Sequence, residues 1–482
     1  MSVIEDLEPK IVWKHFDEIR KIPRCSKHEE KIREYIVNFA KKLNLEYKVD
    51  KAGNVVIRKT ASSGMENKPI VVLQGHMDMV CEKNANVKHD FSKDPIKLVK
   101  KGDVLTADGT TLGADDGIGL AIILAILEDK NLKHGPIEAL FTVDEETGLT
   151  GAFAIQPGFL KGRIMLNLDS EDFGIITIGS AGGGGSKIEL PVRTQKNQGG
   201  LKPFIVKVTG LRGGHSGVDI HEQRGNAIKI LARLLWKAMQ NYELLVSDIR
   251  GGDKHNAIPR EATAVVLVNE KEVSKFVSSL QNEAKDIANE IKTIDPNFTP
   301  KIEETKKPEE ILDKESTFKL VNLLYSLPHG VDRMSYDVPG LVETSTNLAK
   351  TSIEKDRAVI EMSSRSATKS ELEDMRGRIK AIASLAGAKT TEDEPYPGWK
   401  PNLDSKILAL AKKVFREMYG KEPKVEAIHA GLECGIIGEK FPGMDMISIG
   451  PTIKYPHSPD EQVEISTVDK FYKYVLKILE NI

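Results

Sequence analysis

Pro69-Ile70-Val71-Val72-Leu73-Gln74-Gly75-His76-Met77-Asp78 decides the fold of this chain. An apolar run of strand length passes into a histidine and, two residues later, an aspartate. Residues two apart at a strand end face the same way. Four further apolar runs end in acids or histidine: at Asp115-Asp116, at Asp144-Glu145-Glu146, at Asn167-Leu168-Asp169, and near His457 after Met446-Ile447-Ser448-Ile449-Gly450. Open α/β sheets place ligands beyond the carboxyl ends of their strands. Acids and histidines delivered there from several strands converge on one crevice, and a metal is the natural occupant of such a mixed cluster.

Outward from this stretch, residues 54–57, 70–73, 137–143 and 164–168 read as strands. Residues 117–127 are apolar on most sides and predict a buried helix, with Asp115 and Asp116 at its positive end. A helical pattern over residues 9–43 breaks at 22–26, and Ser26 stands at capping-box spacing from Glu29 as the expected new N-cap. Strands alternating with helices imply an α/β fold, a mostly parallel sheet covered by helices. The run Gly182 to Gly185 lacks the Gly-Lys-Ser/Thr of a phosphate loop and reads as hinge or close-approach backbone. Beyond it come a strand (203–209), a helix (225–240), a strand (263–268), and a Lys/Glu-rich amphipathic stretch and linker to about Leu312. Strand 359–363 and helix 370–385 follow. This order suggests a separate α+β domain inserted into the first, to which helix 405–419, a strand and a terminal helix return the chain.

A length of 482 residues exceeds what one core usually supports, so two or more domains are expected. Hydrophobic residues at 40% and charged residues at 29% are those of a soluble globular protein. With 69 basic against 71 acidic residues the net charge is -2, which argues against nucleic acid or anionic membrane as a main partner. Cys25, Cys81 and Cys434 are odd in number and far apart. They argue against a disulfide framework and for a reducing compartment, and they exclude a thiolate zinc site. The acidic start has no signal-peptide character, and the longest apolar run, 118–127, is too short to span a bilayer. A cytoplasmic protein is expected.

In the cluster, His76 can bind a metal through one nitrogen while a nearby carboxylate such as Asp78 holds the other and fixes the tautomer. Asp115, in Gly113-Ala114-Asp115-Asp116-Gly117, can bridge two cations, although an acidic N-cap pair is the alternative. Glu145 and Glu146 diverge as neighbours, so one can ligate metal while the other faces a bound water as general base. Asp169 ends an apolar strand, and prolines stiffen the loop that carries His457. Jointly, two histidines and three carboxylates can hold two divalent ions with one carboxylate shared. Oxygen and nitrogen ligation without thiolate suits zinc, with manganese or cobalt as substitutes.

Gln74-Gly75-His76-Met77-Asp78-Met79-Val80, Leu112 to Gly119 and Asp144-Glu145-Glu146-Thr147-Gly148 resemble the co-catalytic zinc exopeptidases. Within them, the chain is similar to the aminoacyl-histidine dipeptidases. That likeness rests on Gly213-Gly214-His215-Ser216-Gly217, His255-Asn256-Ala257-Ile258-Pro259-Arg260-Glu261-Ala262, Tyr396-Pro397-Gly398-Trp399, His429-Ala430-Gly431-Leu432-Glu433-Cys434-Gly435 and Pro456-His457-Ser458-Pro459-Asp460-Glu461. The resemblance implies a discontinuous di-metal catalytic domain (1–186 and 399–482) and a lid and dimerisation domain (187–398). It implies His76 and Asp169 at one ion, Glu146 and His457 at the other, Asp115 between them, Asp78 orienting His76, and Glu145 as general base. His215 would stabilise the oxyanion, often across a homodimer, while Asn256, Arg365 and Gly431 would hold the substrate. The expected reaction is hydrolysis of dipeptides with a free N-terminus, Xaa-His dipeptides included. A tripeptidase, aminoacylase or other amide hydrolase on the same scaffold is the alternative, and a noncatalytic metal-binding dimer a more remote one.

Overall fold

Val71–His76 is a strand buried along its whole length. Ile137–Thr142 and Ile164–Asn167 flank it, both parallel to it, and Asp445–Ser448 lies parallel beyond Ile164–Asn167. These largely apolar runs fill the centre of a sheet covered on both faces, where side chains on either side of the strand are shut off from water. The computed structural model describes residues 3–197 and 199–482. The eight-stranded sheet is parallel at this centre and antiparallel in its other described pairings. Val55–Lys59 and Glu46–Val49 close one side, and Ile175–Ser180 meets Asp445–Ser448 antiparallel on the other.

Helix Ala114–Glu128 packs against Val71–His76 and against helix Lys10–Ile19, and it is buried from Ala114 to Leu127. Asp115 and Asp116 have non-helical backbone, and the peptide between them is cis. The regular helix therefore starts beyond both aspartates. The expected N-cap at Ser26 is corrected: helix Glu30–Lys42 follows Glu29, and the Ser26 hydroxyl donates to Asp78 instead, at 2.8 Å. Its short side chain is drawn to the stronger, charged acceptor.

Two units, each with its own apolar core, divide the chain. One comprises Met1–Gly179, Pro401–Ala427 and Leu432–Ile482; the other comprises Ser180–Lys400 and Ile428–Gly431. The second therefore begins at Ser180, not at 187, and takes in a short segment that the sequence assigned to the first. Its nine-stranded sheet is antiparallel in every described pairing. Helices Ala227–Met239, Val273–Ile291, Lys314–Ser326 and Lys369–Leu385 supply buried residues to its core. Of the amphipathic stretch and linker read up to Leu312, the amphipathic part is a helix and the linker part is corrected to two strands. Phe276, Leu280, Ala284 and Ile287 recur at helical spacing and bury one face of Val273–Ile291, and strands Thr299–Glu304 and Glu310–Leu312 follow.

The glycine run lies in strand Gly182–Pro191, paired with Arg357–Ser366. A Cβ on Gly182 would stand 2.4 Å from the Gly398 nitrogen, and one on Gly183 2.5 Å from the Tyr396 hydroxyl. Close approach of backbone explains the glycines at these two positions. Among the cysteines, Cys25 and Cys81 form a disulfide while Cys434 is free and buried. This corrects the expectation drawn from their spacing. A separation of 56 residues hides that the chain at Cys25 runs beside Met79 as an isolated parallel bridge. No helix among the described residues is long and apolar enough to cross a membrane.

Candidate metal centre

His76 ends its strand, and its Nε2 lies 3.0 Å from Asp115 Oδ1 and 3.3 Å from Asp169 Oδ1. His457 Nε2 lies 3.1 Å from Asp115 Oδ2 and 3.0 Å from Glu146 Oε2. The two oxygens of Asp115 thus face different histidines. Two groups of three possible ligands result, His76-Asp115-Asp169 and Asp115-Glu146-His457, with Asp115 common to both. Glu145 and Glu146 form a third such group with His76.

The loops that deliver these residues are close-fitted. Asp116 reaches back to the His76 amide at 3.2 Å, and a Cβ on Gly75 or Gly119 would stand 2.2 or 2.1 Å from its carboxylate oxygens. Only glycine leaves room there. Asp78 lies 3.3 Å from His76 Nδ1 and accepts from the amides of Glu145 and Glu146 at 3.0 and 3.2 Å. One carboxylate therefore borders the histidine and anchors the start of the turn that carries both glutamates.

The charges in this cluster fit cations. Burial, reinforced by Asp115 and Glu146 and opposed by His76, pushes Asp169 up to about 7. Burial likewise drives Glu145 well above the usual carboxylate range, with Asp169 and Glu146 adding to it. Burial should lower His457, yet its hydrogen bonds to Asp115 and Glu146 raise it to about 11. Against the effect of burial, the hydrogen bond and charge of His76 hold Asp78 down at about 2. Protons must neutralise the cluster wherever a divalent cation does not. Two ligands of one tetrahedral zinc, each about 2.0–2.1 Å from it, stand roughly 3.3 Å apart. The observed spacings of 3.0 to 3.3 Å match that figure.

His215, Asn256, Arg365 and Gly431 all lie in the second unit. His215 Nδ1 accepts from the amides of Gly217 and Val218 at 3.2 and 3.0 Å, which leaves the ring proton on Nε2. The Asn256 carbonyl accepts from the Ser216 amide at 2.8 Å, so the Asn256 turn is tied to the His215 turn. Arg365, 7% exposed, donates to the Tyr396 hydroxyl at 2.8 Å, and the Tyr396 ring packs over Gly431. A Cβ on Gly217 would meet the His429 carbonyl at 2.2 Å, the Arg365 Nε at 3.1 Å and His215 at 3.1 Å. Burial, with Arg365 nearby, lowers His429 to about 3 and keeps it neutral; its Nε2 pairs with Ser345 at 2.7 Å.

Residue patterns alone do not single out several other members. Glu433, wholly buried, accepts from Gln74 Nε2 and Thr142 Oγ1, both at 2.6 Å, and so braces two of the strands that bear ligands. Glu171, raised to about 8 by burial and by Asp115 and Asp169, borders the cluster. Arg24 and Glu461 lie buried beneath it. Glu433 and Glu461 stand inside motifs that carry the resemblance but were given no role there, and Glu171 is marked only by its place two residues past Asp169.

Fold and centre together define a metallohydrolase. The sequence matches the description "Peptidase family M20/M25/M40" over residues 72–481, and the chain belongs to that family. It is 40% identical over 482 residues to the cytosol non-specific dipeptidase of Escherichia coli (strain K12), covering 100% of this chain and 99% of that one. The crystal structure of aminoacylhistidine dipeptidase from Vibrio alginolyticus superposes with a TM-score of 0.92 at 42% identity, covering 100% of this chain and 98% of that one. A tripeptidase from Staphylococcus aureus, at TM-score 0.56 and 18% identity over 98% of each chain, shares the fold.

Proposed function

We propose that this chain is a dipeptidase that hydrolyses dipeptides with a free N-terminus, Xaa-His dipeptides among them, using two divalent ions, zinc first. One observation carries the reading: Asp115 is aimed at His76 with one oxygen and at His457 with the other. His76 and Asp169 would hold one ion, Glu146 and His457 the second, with Asp115 shared. When bound, such ions polarise a carbonyl and lower the pKa of a water towards ~7. Glu145 accepts the proton of the attacking water and returns it to the leaving amine as the carbon–nitrogen bond breaks. Its neighbour Asp78 fixes the His76 tautomer. The Nε2–H of His215 donates to the oxyanion. Arg365, held by Tyr396, pairs with the terminal carboxylate, for which a planar guanidinium is suited. Asn256 and Gly431 hold the substrate backbone.

The names of the Escherichia coli and Vibrio alginolyticus relatives support this substrate class. A homodimer formed through the second unit, and a cytoplasmic location, belong to the same reading. A panel of unblocked dipeptides, β-alanyl-histidine included, assayed with and without chelator tests it. Turnover of dipeptides that chelator abolishes is expected. A preference for N-acyl amino acids or tripeptides, or indifference to chelator, overturns the reading.

A further inference from the structure

Beneath the cluster, one carboxylate takes four consecutive backbone amides. Glu461 Oε2 accepts from Leu112 and Gly113 at 2.7 and 2.9 Å, and Oε1 accepts from Ala114 and Asp115 at 2.7 and 3.2 Å. Gly113, at φ 70°, turns the backbone so that these amides converge into a nest. Its carbonyl faces the other way, towards the buried Arg24 guanidinium, which also donates to the carbonyls of Met77 at 3.1 Å and Asp78 at 2.5 Å. Glu461 itself is 2% exposed, and its carbonyl accepts from Thr106 Oγ1 at 2.6 Å. Strand Gln462–Glu464, paired with Val104–Ala107, follows directly, so the backbone of Glu461 is fixed from outside the cluster.

The amides that Glu461 gathers end at Asp115, and His457 stands four residues before it on the same turn. One side chain thereby joins the loop that presents Asp115 to the loop that presents His457. A carboxylate has about four acceptor sites, and here each is met by an N–H. The amide of glutamine would place two of its own N–H groups against two of these donors. We propose that Glu461 is a positioning residue for the ion between His457, Glu146 and Asp115: it sets the reach between Asp115 and His457, and so decides whether the centre holds two ions or one. This inference rests on the paired-metal reading above.

Titration of the chelator-treated protein with Co²⁺, followed by visible absorption and by the melting temperature, tests it. The unaltered chain should take two equivalents; fewer would defeat the paired-metal reading itself. Glu461→Gln should keep the first ion within about threefold and weaken the second by about tenfold or more, as loss of an outer-shell partner does. His457→Ala should look the same, and combining the two should weaken the second ion no further, because both act through one contact. Two ions bound with unaltered affinities in Glu461→Gln, or equal loss of both, would overturn the proposal; a lower metal-free melting temperature with both affinities intact would mark Glu461 as a mere loop fastener. If Glu461→Gln does not fold, Glu461→Asp, one methylene shorter, is titrated in its place, and there an unweakened second ion overturns the proposal.

Discussion

Glu145, half-buried, and Glu433, wholly buried, are acids near the same cluster, and they invite opposite experiments. Glu145 lies outside both of the ligand groups that share Asp115. Glu145→Gln should therefore leave two ions bound and lower turnover on the order of a hundredfold or more, as loss of a general base does. Metal analysis beside dipeptide kinetics checks this; near-normal turnover would reassign the base. Glu433 is pushed up to about 8 by burial, against the hydrogen bond from Thr142 and the charge of His76. Between an unfolded value of about 4.3 and about 8, the folded chain holds a proton that the unfolded chain has released. Stability of the metal-free protein should then fall as pH rises through that window, since the unfolded state binds fewer protons. Glu433→Gln removes the titrating group, so its melting temperature should decline less between pH 5 and 8. Parallel curves for the two proteins would show that Glu433 is ionised throughout.

Strand ends and the loops that follow them are where elements become chemistry. Four of the five runs that close on acids or histidine were legible because buried parallel strands are largely apolar stretches, and a polar residue at the end of one stands out; the fifth is corrected, since Asp115-Asp116 opens the buried helix Ala114–Glu128 and ends no strand. Helix 117–127 was legible for the same reason. What periodicity could not show is pairing across distance. Ser26 looks like a helix cap until Asp78 is placed beside it, and Cys25 and Cys81 look unrelated until the segment at 25 lies along Met79. The second-unit residues His215, Asn256, Arg365 and Gly431 were legible only through the resemblance, since single residues on strands and turns carry no pattern of their own. The disulfide ties the segment before helix Glu30–Lys42 to the loop after strand Val71–His76. Closing a loop of that length contributes about 4 kcal/mol by chain-entropy arguments. Cys25→Ser, or reductant, should lower the melting temperature accordingly, and an unchanged melt under both conditions would show that the bond adds nothing.

At the scale of the molecule, two separate cores predict two separable unfolding events. All the proposed metal ligands lie in one unit. Calorimetry should show one transition that moves up with added zinc by mass action and a second that stays in place. A single transition moving as a whole would mean that the units unfold together. The order of the strands has a further consequence for how the protein is made. Asp445–Ser448 lies between Ile164–Asn167 and Ile175–Ser180, so the central sheet lacks an interior member until residues 445–448 have been translated. The other unit likewise waits for Ile428–Gly431. A ribosome-bound precursor that stops between residues 167 and 445 therefore carries an open, apolar sheet edge of the kind that invites pairing with other chains.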